Sequence, residues 1–196
     1  MFKNKLKSYK FGTRQITIIG MLSSISIILG LTGYGFIPLP MAKATIMHIP
    51  VIIGAILEGP MVGAMVGLIF GIFSIFQNIS NPNILSFAFM NPLVSILPRI
   101  LVGILPFYCY KLTFRKHQFI RIGLSAVIGS LTNTLGVLFM IYLLYAQPFA
   151  QAKGINPNTV LKVIFGIGLT NGIPEAIISI LIIIPVVTTI KRILKS

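Results

Sequence analysis

The sequence predicts an all-α membrane protein, a bundle of six transmembrane helices with both termini cytoplasmic. Three observations predict it. Of 196 residues, 56% are apolar and 9% charged, where a soluble domain carries roughly 25% charged residues. The apolar residues fall in six runs separated by Pro, Gly, Asn and basic clusters. Sixteen Lys and Arg stand against two acids, Glu58 and Glu175, and nearly all of these charges lie at the edges of the runs.

A helix needs about 20 apolar residues to cross a bilayer, at ~1.5 Å rise each. The whole chain, 1–196, is expected to form a single integral membrane domain. Its first helix covers about 16–33. The second, about 45–57, is short and ends at the turn Glu58-Gly59-Pro60. The third covers about 61–76. The fourth, about 85–110, contains Pro92, Pro98 and Pro106. The fifth covers about 122–145. The sixth, about 160–190, contains Pro174 and Pro185.

Orientation follows from the Lys/Arg bias of short loops. The N-terminus carries Lys3, Lys5, Lys7, Lys10 and Arg14; the segment after the fourth helix carries Lys111, Arg115, Lys116 and Arg121; the C-terminus carries Lys191, Arg192 and Lys195. Six spans put these twelve on one side, the cytoplasmic one, and only Lys43, Lys153 and Lys162 on the other. Three outer connections are then expected, at about 34–44, 77–84 and 147–158, suited either to cover a pocket or simply to connect helices. Asn78-Ile79-Ser80 matches a glycosylation acceptor, a pattern common by chance. No cleavable signal peptide is evident.

Several functional classes fall away. A pI near 10.4 suits a nucleic-acid binder, but the basic residues lie in short flanking clusters, not interleaved with aromatics on one face. The single cysteine, Cys109, permits no intrachain disulfide. There is no P-loop, no His/Cys/carboxylate set at metal-ligand spacing and no Asp, so an enzyme, a resident metal or a cofactor is not expected.

Glycines recur at Gly59, Gly63, Gly67 and Gly71, a stripe that lets another backbone approach closely and marks a packing face inside the bundle. A second small pair, Gly20 and Ser24 with Ser23 beside it, lies in the first helix. It suits an interface with another subunit or internal packing.

The candidate site comes from polar groups at bilayer depth, where an ionisable residue costs about 2.5–3.5 kcal/mol on insertion scales and usually marks a pathway or site. Arg99 follows Pro98, with Asn91 two turns earlier. Asn133 lies mid-way along the fifth helix, flanked by Thr132 and Thr134. Asn171 and Glu175 lie a turn apart in the sixth. Pro98 and Pro174 free the carbonyls of Val94 and Thr170, which is tolerated where they are buried in protein or line a wet cavity. Arg99 and Glu175 either take part in binding or merely pair to hold the bundle. His48, near the outer face, either donates to a ligand or packs. Lys43, at the outer mouth, is placed to draw an anion inward; His117 falls in the basic loop.

The run Lys43-Ala44-Thr45-Ile46-Met47-His48-Ile49-Pro50-Val51-Ile52-Ile53-Gly54, followed by Glu58-Gly59-Pro60-Met61-Val62-Gly63-Ala64, resembles the second and third helices of the S components of energy-coupling factor (ECF) vitamin transporters. The resemblance covers the whole chain. Thr45-Ile46-Met47-His48-Ile49-Pro50 and Pro98-Arg99-Ile100-Leu101-Val102-Gly103 are most similar to the pantothenate-type members. The resemblance implies a substrate-binding subunit in the bacterial cell membrane. It would take a vitamin, pantothenate, from outside between the outer loops and the fourth to sixth helices. It would then topple in the membrane within a complex of one T subunit and two cytoplasmic ATPases. The family docks on its T subunit through an Ala-x-x-x-Ala-like motif, matched here by Gly20 and Ser24. The implied substrate-binding residues are Arg99, Asn91, Asn133, Asn171, Glu175, His48 and Lys43; the implied T-subunit interface is Gly20, Ser23 and Ser24. Two alternatives stay open: an S component for another vitamin such as pyridoxine, and a self-contained secondary transporter.

Overall fold

The computed structural model describes residues 11–38, 43–113 and 118–194. Arg115, Lys116, His117, Lys195 and the lysines before Phe11 lie outside them. Helix α1, Thr13–Thr32, ends at Gly33, whose φ of 78° turns the chain out of the helix. An antiparallel ribbon follows, β1 (Phe36–Pro38) with β2 (Lys43–Thr45), Phe36 opposite Thr45. Then come α2, Ile49–Glu58, and α3, Pro60–Ser80. Gly59, at φ 101°, makes the turn between them, with Pro60 pre-set for the first turn of α3. Three helices follow in close succession: α4 (Ser86–Phe89), α5 (Pro92–Ser95) and α6 (Leu97–Leu112). Last are α7, Gln118–Lys153, and α8, Val160–Ile193, joined through a short 3-10 turn at Pro157–Thr159.

The protein is a helical membrane protein. Among the described residues, five helical stretches are long and apolar enough to cross a bilayer: α1, α3, α5 with α6, α7, and α8 with its leading turn. Helix α2 has 10 residues, ~15 Å of rise against a hydrocarbon core of ~30 Å. It is wholly internal, with Ile49 through Ile56 all buried.

The structure alters three of the expected helices. The stretch 45–57 is not helical throughout: Thr45 is still in β2 and the helix starts at Ile49. The stretch 85–110 is divided in three. Pro92 has no N–H to continue α4, and the Asn91 side chain instead caps α5 by accepting from Leu93 N at 2.9 Å; Pro98 then sits in the first turn of α6. The helix expected to end at 145 runs on to Lys153 after a break at Tyr145 (φ −137°, ψ 26°), three residues before Pro148.

Packing defines two ends. At one, Arg14 pairs with Glu58 at 2.6 Å, and Arg121 and Lys191 converge on Tyr110. The apolar core above this basic end is built from α1, α2, α3, α6, α7 and α8 around Val51, Ile52, Val66, Ile122 and Ile183. A second core, around Val94, Ile141 and Phe149, lies towards the other end. There the ribbon, the end of α3 and α4 surround a cavity.

Glycines let α3 and α6 touch backbone to backbone. A Cβ on Gly63 would collide with the Gly103 carbonyl, one on Gly67 with the Arg99 carbonyl, and one on Gly71 with Ile96 Cα at 2.8 Å. Gly59 belongs to the turn and not to this packing face, since nothing lies within 4 Å of its Cβ position.

Candidate substrate-binding site

The cavity holds about 520 Å³, within the roughly 300–1,000 Å³ usual for small-molecule pockets. The ribbon covers it with Phe36 and Thr45. The α3 side supplies Phe70, Ser74, Gln77 and Asn78. Helix α6 supplies Arg99, α7 supplies Asn133 and Thr134, and α8 supplies Asn171 and Glu175. Val137, Leu138, Ile141 and Ile167 make an apolar wall. Four residues singled out at bilayer depth, Arg99, Asn133, Asn171 and Glu175, thus share one cavity.

Arg99 is 6% exposed. Its backbone lies against Gly67, which fixes how near α6 comes to α3. Its Nη1 donates to the Val94 carbonyl at 2.9 Å, the acceptor left open because Pro98 has no N–H. The guanidinium carbon lies 5.5 Å from the Phe70 ring centre and 5.8 Å from that of Phe89, within cation–π range. Arg99 Nε has no partner.

Glu175 does not pair with Arg99; among the described residues the only ion pair is Arg14–Glu58. Its Oε1 accepts from the Thr45 backbone N–H at 2.8 Å and its Oε2 from the Thr134 hydroxyl. The carboxylate therefore ties the covering ribbon to α7 and α8. Asn133 Oδ1 and Asn171 Oδ1 are buried acceptors without a partner. A buried unmet acceptor costs about 1–3 kcal/mol, and both residues belong to the cavity lining.

Three other residues from the sequence reading lie elsewhere. Asn91 caps α5 and donates to the Tyr145 hydroxyl at 3.0 Å, away from the cavity lining. His48 is fully buried at the start of α2, with Nε2 3.0 Å from Ser179 Oγ, and fastens α2 to α8. Lys43 belongs to β2, opposite Pro38; its side chain is not among those described. Conversely, Thr45, Gln77, Asn78, Phe70 and Phe89 line the cavity without being among the candidate binding residues, and Thr134, named only as a neighbour of Asn133, lines it too. Thr134 had one available signal, its place next to Asn133. Asn78 Oδ1 accepts from Asn83 Nδ2 at 3.1 Å and from Ser86 Oγ at 2.9 Å, so its side chain organises the rim of the site.

The small residues of α1 divide between two faces. Gly20 and Ser24 are exposed, nothing lies within 4 Å of the Gly20 Cβ position, and Ser24 Oγ donates to Gly20 O at 2.8 Å. Ser23 faces inward, 4% exposed, with its hydroxyl unpartnered.

The fold and site define a helical membrane protein with a ligand-sized cavity at one end of its bundle. The chain belongs to the family described as ECF transporter, substrate-specific component, whose model matches residues 14–187. It is a transporter component, and family membership decides against the self-contained carrier. It is 31% identical over 160 residues to the pantothenic acid transporter PanT of Lactococcus lactis subsp. cremoris (strain MG1363), covering 71% of this chain and 80% of that protein. It is also 31% identical over 158 residues to the pantothenate transporter PanT of Leuconostoc mesenteroides subsp. mesenteroides, covering 76% of this chain and 78% of that one.

Proposed function

We propose that this chain binds pantothenate for an ECF importer, with the vitamin carboxylate on Arg99. The carrying observation is a guanidinium in the cavity wall with an unused Nε–H and no carboxylate within ion-pair distance among the described residues. A guanidinium offers paired donors in a fixed fork, which suits a carboxylate. Pantothenate also has two hydroxyls and an amide N–H, three donors for the open oxygens of Asn133 and Asn171. Glu175 keeps both its oxygens on Thr45 and Thr134, and the Arg99 guanidinium in the same cavity offsets its charge. The ligand named for both relatives agrees with this chemistry.

The cavity end faces outward and the basic end faces the cytoplasm, in keeping with Arg14, Lys111, Arg121, Lys191 and Arg192 at the latter. The ribbon and α2 together return the chain to α3, which makes six crossings and puts both termini inside. Gly20 and Ser24 form the face for a T subunit, whose two ATPase partners drive release in the bacterial cell membrane. The experiment is calorimetric titration of the purified chain with pantothenate, pyridoxine and thiamine. Tight binding of pantothenate alone is expected; tight binding of either other vitamin without it would replace the assignment.

A further inference from the structure

Tyr110, Arg121 and Lys191 form a second polar cluster, at the opposite end of the bundle from the cavity. Arg121 Nε and Nη2 both donate to the Tyr110 carbonyl, at 2.9 and 2.7 Å. Lys191 Nζ donates to the Tyr110 hydroxyl at 2.6 Å. The two cations also lie over the one ring, at 4.1 and 3.9 Å from its centre. Two like charges are therefore gathered on a single side chain. Among the described residues neither has an acidic partner, since Glu58 is engaged by Arg14 and Glu175 lies in the cavity.

Such a cluster repels itself unless an anion lies against it. The donors for one are at hand. The Tyr110 hydroxyl accepts from Lys191 and keeps its own hydrogen; Lys191 keeps two of its three N–H groups, and Arg121 keeps Nη1. The three residues stand in the last turns of α6 and α8 and the first turn of α7, where these helices leave their apolar stretches. On the bilayer side of the cluster, along the same three helices, Leu105, Leu124 and Leu181 are exposed, each more than 40%. A charged headgroup next to large exposed apolar side chains calls for an amphipathic ligand, not a free ion.

We infer that Tyr110, Arg121 and Lys191 form a binding site for the phosphodiester headgroup of an anionic phospholipid, with its acyl chains running from the cluster towards the middle of the bundle, along Leu105, Leu124 and Leu181. Basic pockets between membrane helices have this chemistry. The inference does not depend on which vitamin the cavity binds, nor on which side of the membrane this end faces.

The test is thermal unfolding of the full chain in nanodiscs of phosphatidylcholine, with and without phosphatidylglycerol, since a ligand of the folded state raises Tm. Phosphatidylglycerol should raise Tm by several degrees. Lys191→Gln or Arg121→Gln should each weaken apparent lipid affinity about fivefold, as a loss of ~1 kcal/mol per basic residue implies. Tyr110→Phe, which keeps the ring, should lower the shift as well. Lys153→Gln, distant from the cluster, should leave it intact. Should Arg121→Gln fail to fold, Lys191→Gln and Tyr110→Phe decide. Equal Tm in the two lipids, or a shift unchanged in those variants, would overturn the site. If inorganic phosphate in phosphatidylcholine discs reproduces the whole shift, the ligand is a free anion and the lipid assignment is wrong.

Discussion

Arg99 Nη1 donates to the Val94 carbonyl at 2.9 Å, in place of the backbone N–H that Pro98 lacks. One residue thereby repairs the helix break and holds its guanidinium at the cavity wall. The bond fixes one edge of the guanidinium, and Phe70 and Phe89 lie near it. Arg99→Gln is expected to lower pantothenate affinity at least about tenfold, or roughly 1.4 kcal/mol. Arg99→Lys should fare little better, since an ammonium has no fork with which to hold the carbonyl and a carboxylate together. Arg192→Gln, exposed at the other end, should bind as the parent does. Ligand titration of the three variants decides; equal affinity for Arg99→Gln and parent removes Arg99 from the site.

Glu175 spends its two oxygens on Thr45 N and the Thr134 hydroxyl. Thr134→Val keeps the shape but leaves Oε2 without its donor in a buried place, at a cost of about 1–3 kcal/mol. Tm should fall accordingly. Pantothenate should also dissociate faster, because the same carboxylate secures the ribbon over the cavity. Thr170→Val is the comparison: its exposed hydroxyl bonds only to carbonyls of its own helix, Gly166 O at 3.0 Å and Ile167 O at 3.2 Å, so stability should hardly change. A Thr134→Val protein as stable as the parent would deny Glu175 its role as a tie.

Gly67 controls Arg99 from the far side. A methyl group there would strike the Arg99 carbonyl, which is backbone and cannot rotate away. Gly67→Ala should force α3 and α6 apart, cost about 1–3 kcal/mol as overpacking does, and weaken binding by displacing the guanidinium. Nothing lies within 4 Å of the Gly166 Cβ position, and helices favour Ala over Gly; Gly166→Ala should be neutral or slightly stabilising. Wild-type affinity in Gly67→Ala, read by titration beside Tm, would show that the close approach does not set the site.

Five of the six expected spans were legible as long apolar runs, and four cavity residues for another reason: an ionisable or amide side chain inside an apolar run has no cheap explanation except a partner or a ligand. Arg99, Asn133, Asn171 and Glu175 stand out on that ground. Thr134 does not, because a hydroxyl in an apolar helix can bond its own preceding turn, as Thr132 does to Ile128 O at 2.6 Å. The Thr45 contact was hidden for a different cause: its donor is a backbone N–H, which carries no sequence signal. The ribbon has strands of three residues, too short for a period-2 pattern to register. Asn91 was placed by the geometry of one continuous helix running to Arg99; Pro92 breaks that helix, and Asn91 becomes a cap.

The outer face of α1 gives the last test, because its small residues now divide into two sets. Gly20 and Ser24 lie one turn apart on an exposed strip, and the Ser24 hydroxyl is folded back onto Gly20 O. The strip is thus flat and carries no unmet donor. Exposed Ile16, Met21 and Ile28 belong to the same helix, a surface suited to close packing by a partner helix. Gly20→Leu with Ser24→Leu would raise two ridges on this strip without touching the cavity. Co-purification of T subunit and ATPases and vitamin uptake should be lost, while pantothenate binding by the solitary chain stays at the parent value. Ser23 behaves differently, being buried with an unpartnered hydroxyl. Ser23→Ala removes an unmet polar group and should leave assembly intact, with stability unchanged or slightly higher. A leucine pair that assembles and supports uptake would show that the T subunit docks elsewhere, and a Ser23→Ala chain that binds pantothenate but no longer assembles would put Ser23 back in the interface.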